Sequence, residues 1–327
     1  TGLTYATGEL SINAFGTPFG SSNPLLDENF TDRKLDQLSF YGEFSYDLSD
    51  SLTLTVGGRR FDYDRTTRDI GEGIFGSRDN PSQFDETGTN LKANLSYKPN
   101  DNSLVYMQWS EGFRLGNSNI NLPKSLCDVN DDGILDGTNA EISTGFGSDN
   151  TENFELGTKL SLLDQRMQVN AAIYQVDWHE IPLRVFPGKL PEQDEQTCFT
   201  GLVINLAEAQ SRGFELETSY QASENFSVHF GGAYTQVELS KDSDVLNASS
   251  GDRLPGSPEY KVNLGVQYDS ELAGNPSYIR ADYAYISDFY QLIGEQGGKA
   301  GDYGQLNLSM GVTFDNINID VFEYKLV

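Results

Sequence analysis

The sequence predicts an all-β protein whose antiparallel strands form a transmembrane barrel. Three observations support this prediction: apolar and polar residues alternate along nearly the whole chain, short and long connections alternate between strands, and aromatic residues stand at strand ends. The chain has 327 residues, of which 37% are hydrophobic and 12% aromatic. Its apolar runs are far shorter than the roughly 18 residues that a transmembrane helix needs. We therefore expect strands, and not helices, to cross the membrane.

The charge of the chain excludes one class of partner. It has 22 Lys and Arg against 49 Asp and Glu, a net charge of −27. A nucleic-acid-binding protein needs a basic face to displace counterions from phosphates, so no nucleic-acid partner is expected. The 17 Tyr, 19 Phe and 33 Gly distinguish the chain from aromatic-poor acidic sequences that stay disordered.

Alternation with a period of two defines the individual strands. Between residues 260 and 269, the even positions are apolar or aromatic and the odd positions are polar or Gly. Similar alternation marks residues 91–98, 154–162 and 306–314. Such spacing gives a strand one apolar and one polar face. About a dozen strands are predicted over residues 35–327, with a further one near residues 3–6.

The connections between these strands are of two kinds that alternate. Short connections carry residues that hairpin turns favour, at 48–51, 99–102, 164–166, 223–225 and 315–316. Long connections are rich in Gly, Asp, Asn and Ser, and are predicted at 7–34, 69–86, 116–150, 186–201, 241–257 and 293–302. Short periplasmic turns and long extracellular loops are the layout of an outer-membrane barrel.

A soluble β-sandwich is the structural alternative, because its strands alternate in the same way. Two further features favour the membrane. Many of the predicted strands have 12 or more residues, and aromatic residues at the turn side would form an interfacial belt: Tyr97, Phe226, Tyr268 and Phe314.

Several segments resemble the β-barrel of TonB-dependent outer-membrane receptors. They are SLVYMQWSEGFR at 103–114, ENFELGTKLSLLDQRMQVNAAIY at 152–174, AQSRGFELE at 209–217, and the pairs Leu254-Pro255 and Ser257-Pro258. Any one of them alone is a weak signal, but together and in this order they are specific. The resemblance covers the chain from about residue 35 onward.

The resemblance implies a barrel of about 22 strands filled by a plug. Residues 1–327 would supply 12 to 13 of those strands as a partial barrel domain. The plug, the TonB box, the early strands and the final strand would lie outside this sequence. A partial barrel has two open edges, which lipid does not tolerate, so we do not expect it to close on its own.

The resemblance also implies a function. Such receptors take up a scarce solute, most often a ferric siderophore, across the outer membrane of a Gram-negative bacterium, with energy from the TonB-ExbB-ExbD complex. Iron transport of this kind involves no covalent chemistry, so no enzyme activity and no required cofactor are expected. Two alternatives stay open: a passive outer-membrane porin and a soluble all-β binding module.

One segment predicts a structural Ca²⁺ site in an extracellular loop. An EF-hand-like loop begins at Asp128 as position 1. Side-chain oxygens follow at positions 3, 5 and 9, from Asn130, Asp132 and Asp136, and position 7 offers the backbone carbonyl of Ile134. Gly133 supplies the turn at position 6, but Asn139 replaces the bidentate Glu at position 12, and Glu141 is the substitute. An acidic, solvated loop that binds no cation is the alternative.

The two cysteines, Cys127 and Cys198, fall in two long loops on the same predicted side. One hairpin separates these loops, so they can approach each other. In an oxidising compartment such a pair is expected to form a disulfide, and two free thiols are the alternative.

The remaining candidate residues point to solvated or structural roles. His179 and His229 are too few for a metal cluster, and the segment 178–180 around His179 is interpreted as an interfacial aromatic belt with polar neighbours. Charges on the water-facing side are expected to pair mostly across neighbouring strands: Arg59, Lys92, Arg114, Glu155, Lys159, Glu215, Glu217, Arg280 and Asp282.

Overall fold

The computed structural model describes residues 3–6, 10–13, 25–73, 77–119, 122, 124–188, 198, 200–293 and 298–326. These residues form 18 strands and one four-residue helix, α1 (Lys124–Cys127). Among them, no helix is long and apolar enough to cross a membrane.

Twelve of the strands are long, which confirms the prediction of about a dozen. They are β3 (Leu25–Ser49), β4 (Leu52–Gly73), β5 (Arg78–Asn100), β6 (Ser103–Arg114), β9 (Asp149–Leu162), β10 (Met167–Val185), β11 (Leu202–Ser223), β12 (Phe226–Leu239), β13 (Tyr260–Leu272), β14 (Asn275–Ile286), β17 (Tyr303–Phe314) and β18 (Ile317–Leu326). The short strands are β1 (Leu3–Ala6), β2 (Leu10–Asn13), β7 (Asn117–Ser118), β8 (Gly145–Phe146), β15 (Phe289–Tyr290) and β16 (Lys299–Ala300). Strand β1 agrees with the further strand predicted at 3–6.

One antiparallel sheet of 14 strands contains all the long strands. Its order is β1-β3-β4-β5-β6-β9-β10-β11-β12-β13-β14-β17-β18, with β2 also paired to β3. Strands that follow each other in the chain are thus neighbours in the sheet, as in an up-and-down barrel wall. In the described part of the chain, β1 and β18 do not pair with each other, so the sheet is open.

The register of the sheet keeps large apolar side chains on one face, here called the lipid face. Met107 lies opposite Leu156, Leu156 opposite Ile173, and Ile173 opposite Phe214, on four successive strands. All four side chains are between 43% and 59% exposed. A continuous apolar surface of this kind needs an apolar medium to cover it.

The lipid face ends about ten residues above the turns. On β10, Ile173 is followed on the same face by Gln175, and its neighbour Phe214 is followed on β11 by Arg212. Ten residues rising about 3.3 Å each, tilted by about 40°, span about 25 Å. That is the height of the apolar band of an outer-membrane barrel.

The opposite face, here called the lumen face, is organised by tyrosines that lie over glycines. Tyr106 lies directly opposite Gly157, and Tyr174 directly opposite Gly213. A side chain at either glycine would overlap the tyrosine ring. The Tyr106 hydroxyl donates to Glu155 at 2.5 Å, and a 2.9 Å hydrogen bond joins the Tyr174 hydroxyl to Thr235. The packing of each ring on its glycine and the hydrogen bond of each hydroxyl hold these side chains in place, although the lumen face has no apolar core.

Two of the predicted long loops are strand over much of their described length, which corrects the prediction. The ladder between β4 and β5 continues to the pair Gly71 and Arg78, through most of the loop predicted at 69–86. Strand β3 begins at Leu25, inside the loop predicted at 7–34. These extensions lie above the lipid face, where neither side of a strand meets lipid. The alternation of apolar and polar residues therefore disappears, although the backbone hydrogen bonds between the strands continue.

Substitutions at two adjacent residues test the assignment of the faces. Met107→Arg places a charge in lipid, whereas Gln108→Arg places the same charge in the lumen beside Glu155, the residue opposite Gln108. We expect Met107→Arg to lower the free energy of unfolding by about 2–4 kcal/mol and Gln108→Arg by no more than about 1 kcal/mol. Urea unfolding of the full-length protein in phospholipid vesicles measures both. Equal losses would contradict the assignment.

Candidate functional site

At the loop end of the sheet, one loop folds inward over the lumen face. Ala209 and Leu239 lie on this face of β11 and β12, and each is only 2% exposed. The side chains of Leu246, Ala248 and Leu254, from the loop between β12 and β13, belong to the cluster that covers them. The mouth of the barrel wall is therefore covered from the inside at β10 to β12.

A second cluster joins two further loops into one unit. Cys127 and Cys198 form a disulfide, and Leu135 and Leu202 beside it are 0% exposed. We call this unit the cap; it comprises residues 115–119, 122, 124–148, 186–188, 198 and 200–201.

The two halves of the cap also meet through their backbones. The N–H of Gly188 donates to the carbonyl of Asp136 at 2.8 Å. A Cβ on Gly137 would lie 2.4 Å from the carbonyl carbon of Gly188, and Gly137 has a φ of +68°. Only glycine meets both conditions at this position.

At one side the cap is fixed to β4 and β5. The buried hydroxyl of Tyr63 donates to Glu86 at 3.0 Å and accepts from the N–H of Gly116 at 3.1 Å. The Ser148 hydroxyl donates to the same carboxylate at 2.6 Å. Burial raises the pKa of Tyr63 to about 12, so its hydroxyl stays protonated at neutral pH.

At the other side the cap is fixed to β11. The Asn119 amide donates to the carbonyl of Val203 at 2.7 Å and accepts from the Val203 N–H at 3.0 Å. The Asn205 amide makes the same two-way contact with Gly147, at 3.1 and 2.8 Å. Because the sheet order between the two anchors is β6, β9, β10, the cap passes over these three strands.

Near the cap lies a cavity of about 400 Å³, here called the arginine niche. Its lining residues are Gly112, Phe113, Arg114, Asp149, Thr151 and Trp178. Asp149 is 2% exposed and accepts hydrogen bonds from Arg114 Nε at 2.9 Å and from Trp178 Nε1 at 2.6 Å. The Arg114 guanidinium also forms an ion pair with Asp149 and lies 4.9 Å from the centre of the Trp178 ring.

Beside the niche, the ladder between β5 and β6 stops at the pair Lys92 and Ser110. Phe113 lies in the gap that follows and stacks on Phe61, with ring centres 3.9 Å apart and planes at 2°. The Arg59 guanidinium lies 5.9 Å from the centre of the Phe113 ring. Aromatic stacking and side-chain hydrogen bonds thus replace the backbone ladder at this part of the mouth.

Comparison with known proteins identifies this architecture. The family model for TonB dependent receptor-like β-barrels matches residues 1–322. The chain belongs to this family. Proteins of the family lie in the outer membrane of Gram-negative bacteria, and this chain shares that location. The proteins of this family are transport receptors, not enzymes.

Individual relatives agree with the family. The chain is 21% identical over 220 residues to PiuA, an Acinetobacter baumannii protein described as a probable TonB-dependent siderophore receptor. The match covers 58% of this chain and 26% of PiuA. The PiuA crystal structure matches with a TM-score of 0.66 and 16% identity, over 89% of this chain and 39% of that one.

Two further solved structures have the same fold. The ferric yersiniabactin uptake receptor FyuA of Yersinia pestis matches with a TM-score of 0.71 and 17% identity, over 91% of this chain and 42% of its own. The copper transporter OprC matches with a TM-score of 0.63 and 15% identity, over 89% of this chain and 42% of its own. The chain therefore spans less than half the length of each of these receptors.

The receptor places the predicted calcium-loop residues in the cap but satisfies most of their side chains locally. The carboxylate of Asp128 accepts from the N–H of Asp132 at 2.9 Å, and that of Asp136 accepts from the N–H of Val129 at 3.3 Å. The Asn130 amide donates to Asp132 at 2.8 Å. In the part of the receptor that the structure describes, no three His, Cys, Asp or Glu side chains are grouped to hold a metal ion. Calcium binding at these residues and at Ile134 stays a prediction.

The structure corrects the interpretation of the segment around His179. Trp178 faces the lumen and Asp149, not the lipid interface. His179 Nδ1 lies 3.6 Å from Glu208, and His229 Nδ1 lies 3.1 Å from the Ser219 hydroxyl. The belt was predicted because this segment stands near the start of a predicted long loop. On a strand, the parity of a position and not its distance from a loop decides which face the side chain meets.

The expected pairing of lumen charges across neighbouring strands holds for Arg114 on β6, which forms an ion pair with Asp149 on β9. Lys92 instead pairs with Glu43 two strands away on β3, and Arg280 pairs with Asp282 on its own strand, β14. Arg59 instead donates to the Ser39 hydroxyl at 3.0 Å, and Glu155 accepts from Tyr106. Asp149, Tyr63 and Glu86 were not identified from the sequence. Only the strand register, which places Asp149 opposite Arg114 and Glu86 opposite Tyr63, could have indicated them.

The cap generates a prediction about its two cysteines. Because the chain has two cysteines and the structure joins them, we expect no free thiol without reductant and two after denaturation with reductant. Replacing both by Ser removes the covalent link between the two halves of the cap, so limited proteolysis within residues 186–201 is expected to accelerate. The short turn at 163–166 serves as the control site. Two thiols in the untreated receptor would contradict the disulfide.

Proposed function

We propose that the protein takes up a ferric siderophore or a closely related metal chelate across the outer membrane, driven by the TonB-ExbB-ExbD complex. Family membership supports active uptake, and the names of PiuA and FyuA support a siderophore as the solute. The coupling to TonB and the identity of the solute are parts of this proposal.

The anchored cap is the observation that carries the proposal over a passive porin. A porin needs an open aqueous path, whereas here a disulfide-linked cap and a second loop both cover the lumen face at the mouth. The cap is anchored on one side at Tyr63 and on the other side at Asn205. A solute has to bind at this mouth and then pass it, which suits a receptor with an energy-dependent step.

The lipid face supports the same proposal over a soluble binding module. A soluble protein buries its apolar face, but here large side chains such as Met107 and Ile279 are 59% and 61% exposed on the outside of a single-layered sheet. Outer-membrane lipid is the partner that such a surface needs.

A transport assay tests the proposal. A strain that lacks the encoding gene, grown without iron, is given ⁵⁵Fe-loaded siderophores of the catecholate, hydroxamate and phenolate classes, with and without the full-length gene. We expect the gene to restore uptake of at least one complex, and a tonB deletion to abolish that uptake. Uptake that persists without TonB would favour the porin, and failure to restore uptake of any complex would contradict a siderophore as the solute.

A further inference from the structure

We infer that the lipid face of β17 and β18 is a contact surface for a second copy of this receptor, and that Glu323 and Lys325 of the two copies join there by ion pairs. This contact is separate from the solute path, which runs along the lumen face. Three features of the surface support it: the position of Glu323, its lack of a partner, and the arrangement of the two charges.

Glu323 lies on the lipid face, inside the apolar band. It is the seventh residue of β18, and the band extends to about the tenth residue above the turn. It lies opposite Leu308, and the same row continues through Ala281 and Val266 on the next two strands. On the other long strands that the structure describes, the first four lipid-face residues counted from the turn include no Asp, Glu, Lys or Arg. Glu323 is the fourth such residue of β18, so this part of the wall differs from the rest.

The Glu323 side chain has no partner among the described residues. It makes no hydrogen bond or ion pair there, although Lys325 is on the same face two positions away. Arg280 and Asp282 have the same spacing on β14 and do pair, at 2.7 Å. Ionisable side chains within a membrane are costly and almost always pair with other protein groups. A Lys can extend its long stem toward the headgroups, whereas a Glu is too short to do so. The Glu323 carboxylate therefore needs a cation from outside this surface.

The order of the two charges makes the surface complementary to itself. In a two-fold dimer whose axis lies along the membrane normal, equal residues of the two copies are at the same height, and each contact occurs twice. Lys325 is two residues above Glu323, which is about 5 Å along the normal at a rise of about 3.3 Å per residue and a tilt of about 40°. The four-carbon stem of a Lys covers that distance. Glu323 can thus bind the partner's Lys325, while Lys325 binds the partner's Glu323.

Apolar side chains beside the two charges supply the rest of the contact. Ile319 and Val321 of β18 and Leu308 and Met310 of β17 are between 44% and 56% exposed on the lipid face. In a membrane, apolar side chains gain little by exchanging lipid for protein. The apolar residues therefore fill the contact, and the charges determine that β18 makes it.

Cross-linking in native outer membranes tests this contact. The full-length receptor with Val321→Cys is treated with a short bifunctional maleimide, and the dimer is measured on denaturing gels. The two native cysteines are joined to each other and do not react. Ile173→Cys, on the lipid face of β10, is the matched control for random collisions. We expect a cross-linked dimer at position 321 and none above background at position 173.

Charge reversal in the Val321→Cys receptor tests the ion pairs. Glu323→Lys and Lys325→Glu each place like charges on both copies, so we expect either one to lower the dimer fraction by about fivefold or more. The two reversals together recreate opposite charges and are expected to restore the dimer. Glu271→Lys, at the turn end of β13 on the other parity, is the control and is expected to leave the dimer unchanged. Heat-modifiable migration in gels verifies folding, and Glu323→Gln replaces any reversal that does not fold.

Four results would overturn the inference. They are the absence of a dimer at position 321, a dimer that neither reversal weakens, a folded double reversal that does not restore it, and a cross-link to a different membrane protein identified by mass spectrometry. The transport assay is independent of all four, so the proposed function is tested separately.

Discussion

The structure depends on one constraint: a strand in lipid must pair every backbone N–H and C=O with a neighbouring strand. The continuous ladders between β3 and β18 meet this requirement for the strands inside the sheet over the height of the lipid face, and they leave only the side chains free to vary. Side chains on alternate positions then meet lipid or water, so the same ladder fixes an apolar outside and a polar lumen. Charges, tyrosines and glycines on the lumen face are thereby available for binding and for anchoring loops.

The loops at the mouth pack on that lumen face and form hydrogen bonds with it. The cap binds to it through neutral groups, Tyr63 and the amides of Asn119 and Asn205, and through two charged groups, the carboxylate of Glu86 and the guanidinium of Arg65, which donates to the Gly116 carbonyl at 3.2 Å. A disulfide and two small buried clusters make up for the absence of a conventional core. This division gives the receptor a uniform wall and a mouth whose shape and charge can be specific to a solute.

The sequence predicted the wall better than the mouth, and the reason is physical. Where lipid meets one face, as along 260–269 and 306–314, the apolar residues must recur every second position, and the strands were found. Where neither face meets lipid, as along 69–86, the same ladder leaves no apolar period, and strands were mistaken for a loop. The segment 25–34 was missed for the same reason.

The mouth depends on contacts between residues far apart in the chain, which local patterns do not encode. The disulfide between Cys127 and Cys198 was expected because only two cysteines and one compartment had to be considered. The pair of Arg114 and Asp149, 35 positions apart, was not found, because it requires the register of β6 against β9. Trp178 was assigned to the wrong face because its position near the start of a predicted long loop was used in place of its parity on β10.

The central claim is that one face of this sheet meets lipid and the other water, and spin labels on single added cysteines along β17 test it most directly. Labels at positions 306–310, 312 and 313 of the full-length receptor in bilayers would be compared by their collision rates with oxygen, which concentrates in lipid, and with a water-soluble nickel chelate. The account predicts high oxygen accessibility at 306, 308, 310 and 312 and higher nickel accessibility at 307, 309 and 313, on the water-filled or plug-facing side. Equal accessibilities along the strand, or the reverse phase, would contradict it.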